Sequence, residues 1–184
     1  IKGQIYPKIT AVVIQEYHSR KTYTFSPRNP GFLDDVFSFF REHQGAYFVH
    51  WNMDNPNFSF EHLAAGAGRS PKDCPDNDKQ IFLSKVCKNT YGENYVKHNQ
   101  LQQLAVLNDV YSFNRWLAGE LEAKLALFDD PGIHQILVDS CEVKVSAINN
   151  ICHLLIEDAL KTNVKPASKR SFKKVMIKLI RKLL

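Results

Sequence analysis

The chain has 184 residues, 44% of them hydrophobic and 23% charged, which is enough for one domain with a real core in ordinary globular proportions. No apolar run nears the ~20 residues of a membrane-spanning helix, so a helical membrane spanner is excluded. The net charge of +5 is unevenly placed, with 15 Lys and Arg against 19 Asp and Glu in residues 1–160 and 9 Lys and Arg with no acid in residues 161–184. A mildly acidic body (net −4) thus carries a strongly basic tail (net +9), and the overall basicity does not make the body a nucleic-acid binder.

The opening Ile1-Lys2-Gly3-Gln4-Ile5 has neither an initiator Met nor the apolar core of a signal peptide, so a fragment or a processed chain is expected. Residues 9–17 are rich in β-branched side chains and predict a strand. The polar stretch 18–21 supplies a turn, and residues 22–25, with Tyr23 and Phe25 on one side, supply the partner strand of a hairpin. A Pro- and Gly-containing loop follows. Phe32, Val36, Phe39 and Phe40 then recur at helical spacing and predict a helix over 32–43. Residues 46–51 read as a short buried strand.

Residues 58–65 read as a helix stopped by Gly66, and residues 70–78, with two prolines, as a surface loop. Four further helices are expected: over 79–90, from about 99, over 112–128, and from Pro131 to about 160. The third would place Phe113, Trp116, Leu117, Leu121, Leu125 and Phe128 on one face. The fourth carries the stripe Leu137, Cys141, Val145, Ile148, Cys152, Leu155 and Ala159. None of Cys74, Cys87, Cys141 and Cys152 forms a CxxC pair or a zinc-like spacing, so buried, reduced thiols and a cytoplasmic setting are expected. Residues 161–170 read as a linker, and Ser171 caps a final helix over 172–184. The expected fold class is therefore α/β. A small N-terminal sheet, hairpin plus buried strand, is packed by several helices and followed by a helical C-terminal half. This single domain over 1–160 leads into a linker and a basic amphipathic C-terminal helix over 161–184.

Function is sought first in residues 50–62, where a strand delivers His50, Trp51, Asn52 and Asp54 to its C-terminal end and a helix then brings Glu61 and His62. Ligands of open α/β sheets gather at such ends. Three chemistries compete. His50 serves as a general base oriented by Asp54 or Glu61; Asp54, Glu61 and a histidine hold a divalent metal ion; or His50 and Asn52 hydrogen-bond a ligand while Trp51 stacks on it. A structural role stands beside these, with the polar groups satisfying loop backbone and the aromatic rings filling the core.

A strand ending in a His/Asn element, followed by an aromatic-flanked helix start, resembles the second motif region of DEDD-type exonucleases on the RNase H-like fold. That resemblance covers about the first third of the chain and implies a metal-binding aspartate after the aromatic residue, where Ser59 follows Phe58 here. The family's opening Asp-x-Glu falls on Ile14 and Glu16, and Asp139 and Glu142 echo its last acidic motif. With two acids replaced, the two-metal chemistry of the family is not supported, and the resemblance implies either an inactive, degenerate copy or one whose metal ligands lie in a part outside this sequence. The small residues 64–68 before Arg69 admit a phosphate, or simply end a helix. No GxGxxG, Walker A or GxSxG pattern occurs.

In the tail, Phe172, Val175, Met176, Leu179, Ile180 and Leu183 make an apolar stripe opposite Lys173, Lys174, Lys178, Arg181 and Lys182, with Lys169 and Arg170 just before. Such a helix docks on the body or a protein partner, lies on an anionic membrane as a peripheral anchor, or presents its cations to nucleic-acid phosphates. The leading expectation is a non-catalytic or degenerate nuclease-like module binding nucleic acid or a protein partner within a larger assembly. The alternatives are a metal-dependent nuclease or hydrolase centred on residues 50–62, and a peripheral membrane or scaffold protein acting through the tail.

Overall fold

The computed structural model describes residues 8–55, 58–96 and 100–165. Strands β1 (Val12–Gln15) and β2 (Thr22–Phe25) form an antiparallel hairpin with Val12 opposite Phe25 and Gln15 opposite Thr22. Its turn closes through Glu16 N–H to the Lys21 carbonyl at 2.9 Å and carries Arg20 at φ 61°. Helix α1 (Phe32–Glu42) starts after Gly31, whose φ of 77° suits a residue without Cβ. It has Asp34 and Asp35 in the first turn, where the helix dipole favours acids. The α1 stripe buries Val36, Phe37, Phe39 and Phe40, with the Phe39 ring 4.8 Å from Tyr23 and 6.0 Å from Phe25. The hairpin therefore lies across α1. Each fully buried phenylalanine contributes roughly 1.5–3 kcal/mol of apolar transfer.

Strand β3 (Phe48–His50) does not join the hairpin. It pairs in parallel with β6 (Gln80–Phe82), in the register Phe48 with Gln80 and His50 with Phe82. The sequence expectation of one sheet made from the hairpin and this strand is corrected on that point. So is the helix expected over 79–90: residues 80–82 are strand, and α3 (Leu83–Tyr91) begins only after them. Between β3 and β6 lie the short antiparallel pair β4 (Asp54–Asn55) and β5 (Phe58–Ser59) and the helix α2 (Phe60–Gly66), whose Ser59 cap accepts from His62 N–H.

Side-chain alternation makes β3 a wall between two cores. Phe48 faces the cluster of α1 and α2 with Phe40, Phe60, Leu63 and Cys74, whereas Val49 and the neighbouring Ile81 face the other cluster. That second core joins Leu83, Cys87 and Tyr91 of α3, Leu104 of α4 (Gln100–Leu107), and Ile151, Cys152 and Leu155 of α6 (Pro131–Ile156). Helix α6 opens as expected, with Asp130 accepting from Gly132 and Ile133 N–H and Pro131 in the first turn. It packs on β1, where Asn149 donates to the Gln15 side chain at 2.9 Å and to the Glu16 carbonyl at 3.2 Å. It ends at Ile156 rather than near 160, before Asp158 at φ 56°, and Ala159 of the expected stripe is exposed.

The helix expected over 112–128 is shortened to α5 (Gly119–Leu125). Residues 112–118 are irregular, because Leu117 N–H bonds the Ser140 hydroxyl at 3.0 Å and the Tyr111 ring packs against both Phe113 and Trp116. The proposed common face is not formed: Phe113 is 78% exposed and Phe128 57%. The α/β class with a helical C-terminal half is the observed architecture. The C-terminal helix expected over 172–184 lies outside the described residues. No helix among the described residues is long and apolar enough to cross a membrane.

Candidate functional site

His50 closes β3, and the alternation that sends Phe48 to the α1–α2 core sends His50 the same way. Its ring stands edge-on to Phe82 at 4.3 Å and to Phe60 at 5.8 Å between centroids, and Nδ1 accepts the Met53 N–H at 3.2 Å. His50 is 7% exposed. An acceptor role at Nδ1 fixes the neutral ring as the Nε2–H tautomer. The strand end then turns into the β4–β5 hairpin, while the Trp51 carbonyl receives Ser84 N–H at 3.3 Å and the Trp51 side chain packs on the α3–α6 core. Asn52 is exposed.

The residues grouped by sequence separate in space. Glu61 and His62 are neighbours on α2, about 100° apart around the axis, and this turns Glu61 to solvent and buries His62 to 8% exposure. Asp54 enters as backbone of β4, and its side chain lies outside what is described. Trp51 faces the core opposite to the one His50 faces. Cys74, unremarked in the sequence beyond being buried, closes this region by donating its thiol to the Phe60 carbonyl at 3.2 Å. Burial first, then the nearby Glu61 and Asp73 charges, push that thiol up to about 11, which makes it inert as a nucleophile. Among the described residues no group of three or more His, Cys, Asp or Glu is placed to hold a metal ion.

Arg69 does not face an open phosphate cradle. Its guanidinium pairs with Asp34 at the start of α1 and lies over the Phe37 ring at 5.9 Å. The run of small residues before it ends α2, with Arg69 N–H returning to the Ala64 carbonyl at 2.8 Å. The acids aligned by the exonuclease resemblance are also committed within the protein. Glu16 accepts from Ser19 and, at 2.6 Å, from Tyr23, which hold its carboxyl below the usual range. Asp139 and Glu142 both pair with Arg115, at 3.1 and 2.9 Å.

That last cluster borders a shallow cleft of about 300 Å³ lined by Gln15, Thr22, Arg115, Glu142, Val143 and Ser146. Thr24 donates to Glu142 at 3.1 Å, Ser140 to Glu122 at 2.6 Å, and Lys144 pairs with Glu122 at 2.6 Å. The network ties hairpin, irregular loop, α5 and α6 together. Its signal in the sequence was weak, because Arg115 meets its carboxylates across 24 and 27 positions of chain. With one guanidinium held by two carboxylates, the cleft offers an anion little positive charge. The cations Lys169, Arg170, Lys173, Lys174, Lys178, Arg181 and Lys182 lie outside the described residues.

Comparison with known proteins returned no matching family model, no matching curated protein and no matching solved structure.

Proposed function

We propose that the chain is a non-catalytic module that binds nucleic acid through the basic segment 169–182, with the α/β body as its carrier. The observation behind this is the charge division: net +9 with no acid in residues 161–184, against net −4 in residues 1–160. Cations gathered without intervening acids release counterions from a phosphate backbone on binding. Support for a non-catalytic body comes from His50, buried among aromatic rings, and from Glu16, Asp139 and Glu142, whose carboxylates already have partners. The nuclease-like kinship of the first third belongs to the same proposal, as a degenerate form.

The test is binding of labelled single- and double-stranded DNA and RNA across a salt series, with Mg²⁺ and Mn²⁺ present and cleavage monitored. The parent chain is run beside a full-length variant with Lys173, Lys174, Lys178, Arg181 and Lys182 changed to Gln. Salt-sensitive binding that weakens in the variant, with the log–log salt slope reduced by about one for each lost phosphate contact, supports the proposal. Unchanged binding removes the tail from the interface. Cleavage abolished by His50→Ala overturns the reading in favour of an enzyme.

A further inference from the structure

Two serines of the chain precede a proline and then a cation, in Ser26-Pro27-Arg28 and Ser70-Pro71-Lys72. The fold treats them oppositely. Ser26 follows β2 directly and is 7% exposed, with its carbonyl accepting Asn29 N–H at 3.0 Å. Ser70 stands in a run where every residue from Gly68 to Asp73 is exposed. An enzyme that transfers a phosphoryl group must reach the acceptor hydroxyl and several residues of backbone on either side of it, so burial decides between the two dipeptides.

The local conformation fits the same use. A following proline pushes a residue to extended backbone, and Ser70 lies at φ −76° and ψ 143°. Its Oγ accepts Lys72 N–H at 3.3 Å, and Asp73 Oδ2 accepts Ser70 N–H at 3.2 Å, a reciprocal cap on the single 3₁₀ turn Pro71–Asp73. The cap uses an Oγ lone pair and leaves the hydroxyl proton to be removed. Cations stand on both sides, Arg69 before and Lys72 after. The Arg69 guanidinium pairs with Asp34 in the first turn of α1, with 38% and 69% of the two side chains exposed, so Asp34 holds it weakly.

We infer that Ser70 is a phosphorylation site for a serine kinase that takes proline after the acceptor, and that Arg69 leaves Asp34 to hold the phosphate. In the step, Ser70 Oγ bonds to the γ-phosphorus of ATP, the bond from that phosphorus to the β–γ bridging oxygen breaks, and ADP leaves with the electron pair. The hydroxyl proton passes to the catalytic carboxylate of the kinase. A group of nearly two negative charges on the neighbouring residue then outcompetes one exposed carboxylate for the guanidinium. It also repels the Asp73 carboxylate, so the reciprocal cap opens as Arg69 turns back. Asp34 keeps its place beside the first amides of α1, where the helix dipole favours an acid. The inference stands apart from what the basic tail binds.

The experiment treats the full-length parent, Ser70→Ala and Arg69→Gln with a purified proline-directed serine kinase and Mg·ATP, and maps the phosphate by mass spectrometry of proteolytic fragments. Synthetic peptides of residues 22–32 and 66–76 give the rate for each dipeptide freed from the fold. Both peptides should be phosphorylated, whereas the folded parent should take phosphate at Ser70 at least about tenfold faster than at Ser26. That incorporation is lost in Ser70→Ala. Because the phosphate is mapped in the parent itself, the result does not depend on how a variant folds. Comparable rates at Ser26 and Ser70 in the folded chain overturn the inference. So does a folded chain that stays unmodified at Ser70, whether or not the 66–76 peptide is a substrate. The part given to Arg69 is read by phosphorus-31 NMR: the second ionisation of a phosphoserine, near pH 6, should lie lower in the phosphorylated parent than in phosphorylated Arg69→Gln. Equal values overturn the hand-over from Asp34.

Discussion

His50 shows how a residue chosen for chemistry is explained by packing. The imidazole fills the space between Phe60 and Phe82 and caps the turn by accepting Met53 N–H. His50→Ala removes both, and the variant is expected to lose about 2 kcal/mol of stability in urea unfolding while binding polynucleotide within about twofold of the parent. A loss of binding without a loss of stability would return His50 to the list of functional groups. The sequence showed that a histidine ends a strand. It did not show which face the histidine takes, because the parallel partner strand sits about thirty residues downstream in a segment that also fits a helix. Asn108 carries no comparable signal in the sequence. Its amide makes a short-range bond to the Leu104 carbonyl at 2.8 Å and two bonds to Lys161, and nothing in local spacing announces a contact over 53 positions. Asn108→Ala leaves the Lys161 N–H and carbonyl without that partner and is expected to cost about 1–2 kcal/mol. It should also raise exchange at residues 158–164 before the rest of the chain opens.

At the level of elements, helices with a full stripe and a cap were legible. α1 and α6 declare their starts through Asp34 and Asp35 and through Asp130 with Pro131, whereas the helix expected from Phe58 starts two residues later, because Phe58 and Ser59 pair as strand β5 and Ser59 caps α2. Elements that depend on distant partners were not. Strand β6 is three residues long, and Gln80-Ile81-Phe82 is strand only because β3 lies alongside it. Residues 112–118 have helical spacing of apolar positions, but the Ser140 hydroxyl and Glu142 on α6 draw Leu117 N–H and Arg115 out of a helical path. Replacing Ser140, which is fully buried, by Ala removes the acceptor for Leu117 N–H and the donor to Glu122. Loop 112–118 should then exchange faster, and stability fall by about 1–2 kcal/mol, as read by exchange and by urea unfolding.

For the whole molecule, pH reports how well the core is sealed. Burial pushes the Cys87 and Cys152 thiols up to about 12, from an ordinary value near 9. It pushes the Tyr17 and Tyr91 hydroxyls up to about 12, from near 10. The unfolded chain therefore releases these protons first. Between about pH 9 and 12 the folded state binds more protons than the unfolded one, so stability is fully present below pH 9 and is lost as pH rises. The melting temperature should fall steadily above pH 9. At pH 8 a thiol reagent should modify Cys87 and Cys152 at least about tenfold more slowly in the native protein than in urea. Prompt labelling of both would show that the second core is open.

The packing of β1 on α6 joins the two ends of the described chain, with Asn149 bonded to Gln15 across 134 positions. During synthesis the hairpin therefore emerges from the ribosome long before the helix that covers it. At roughly 5–20 residues per second, the interval is about 7–27 s. Through that interval the part of β1 that α6 covers is available to a chaperone, and a stall before residue 149 leaves a nascent chain without the Asn149 bonds to Gln15 and Glu16.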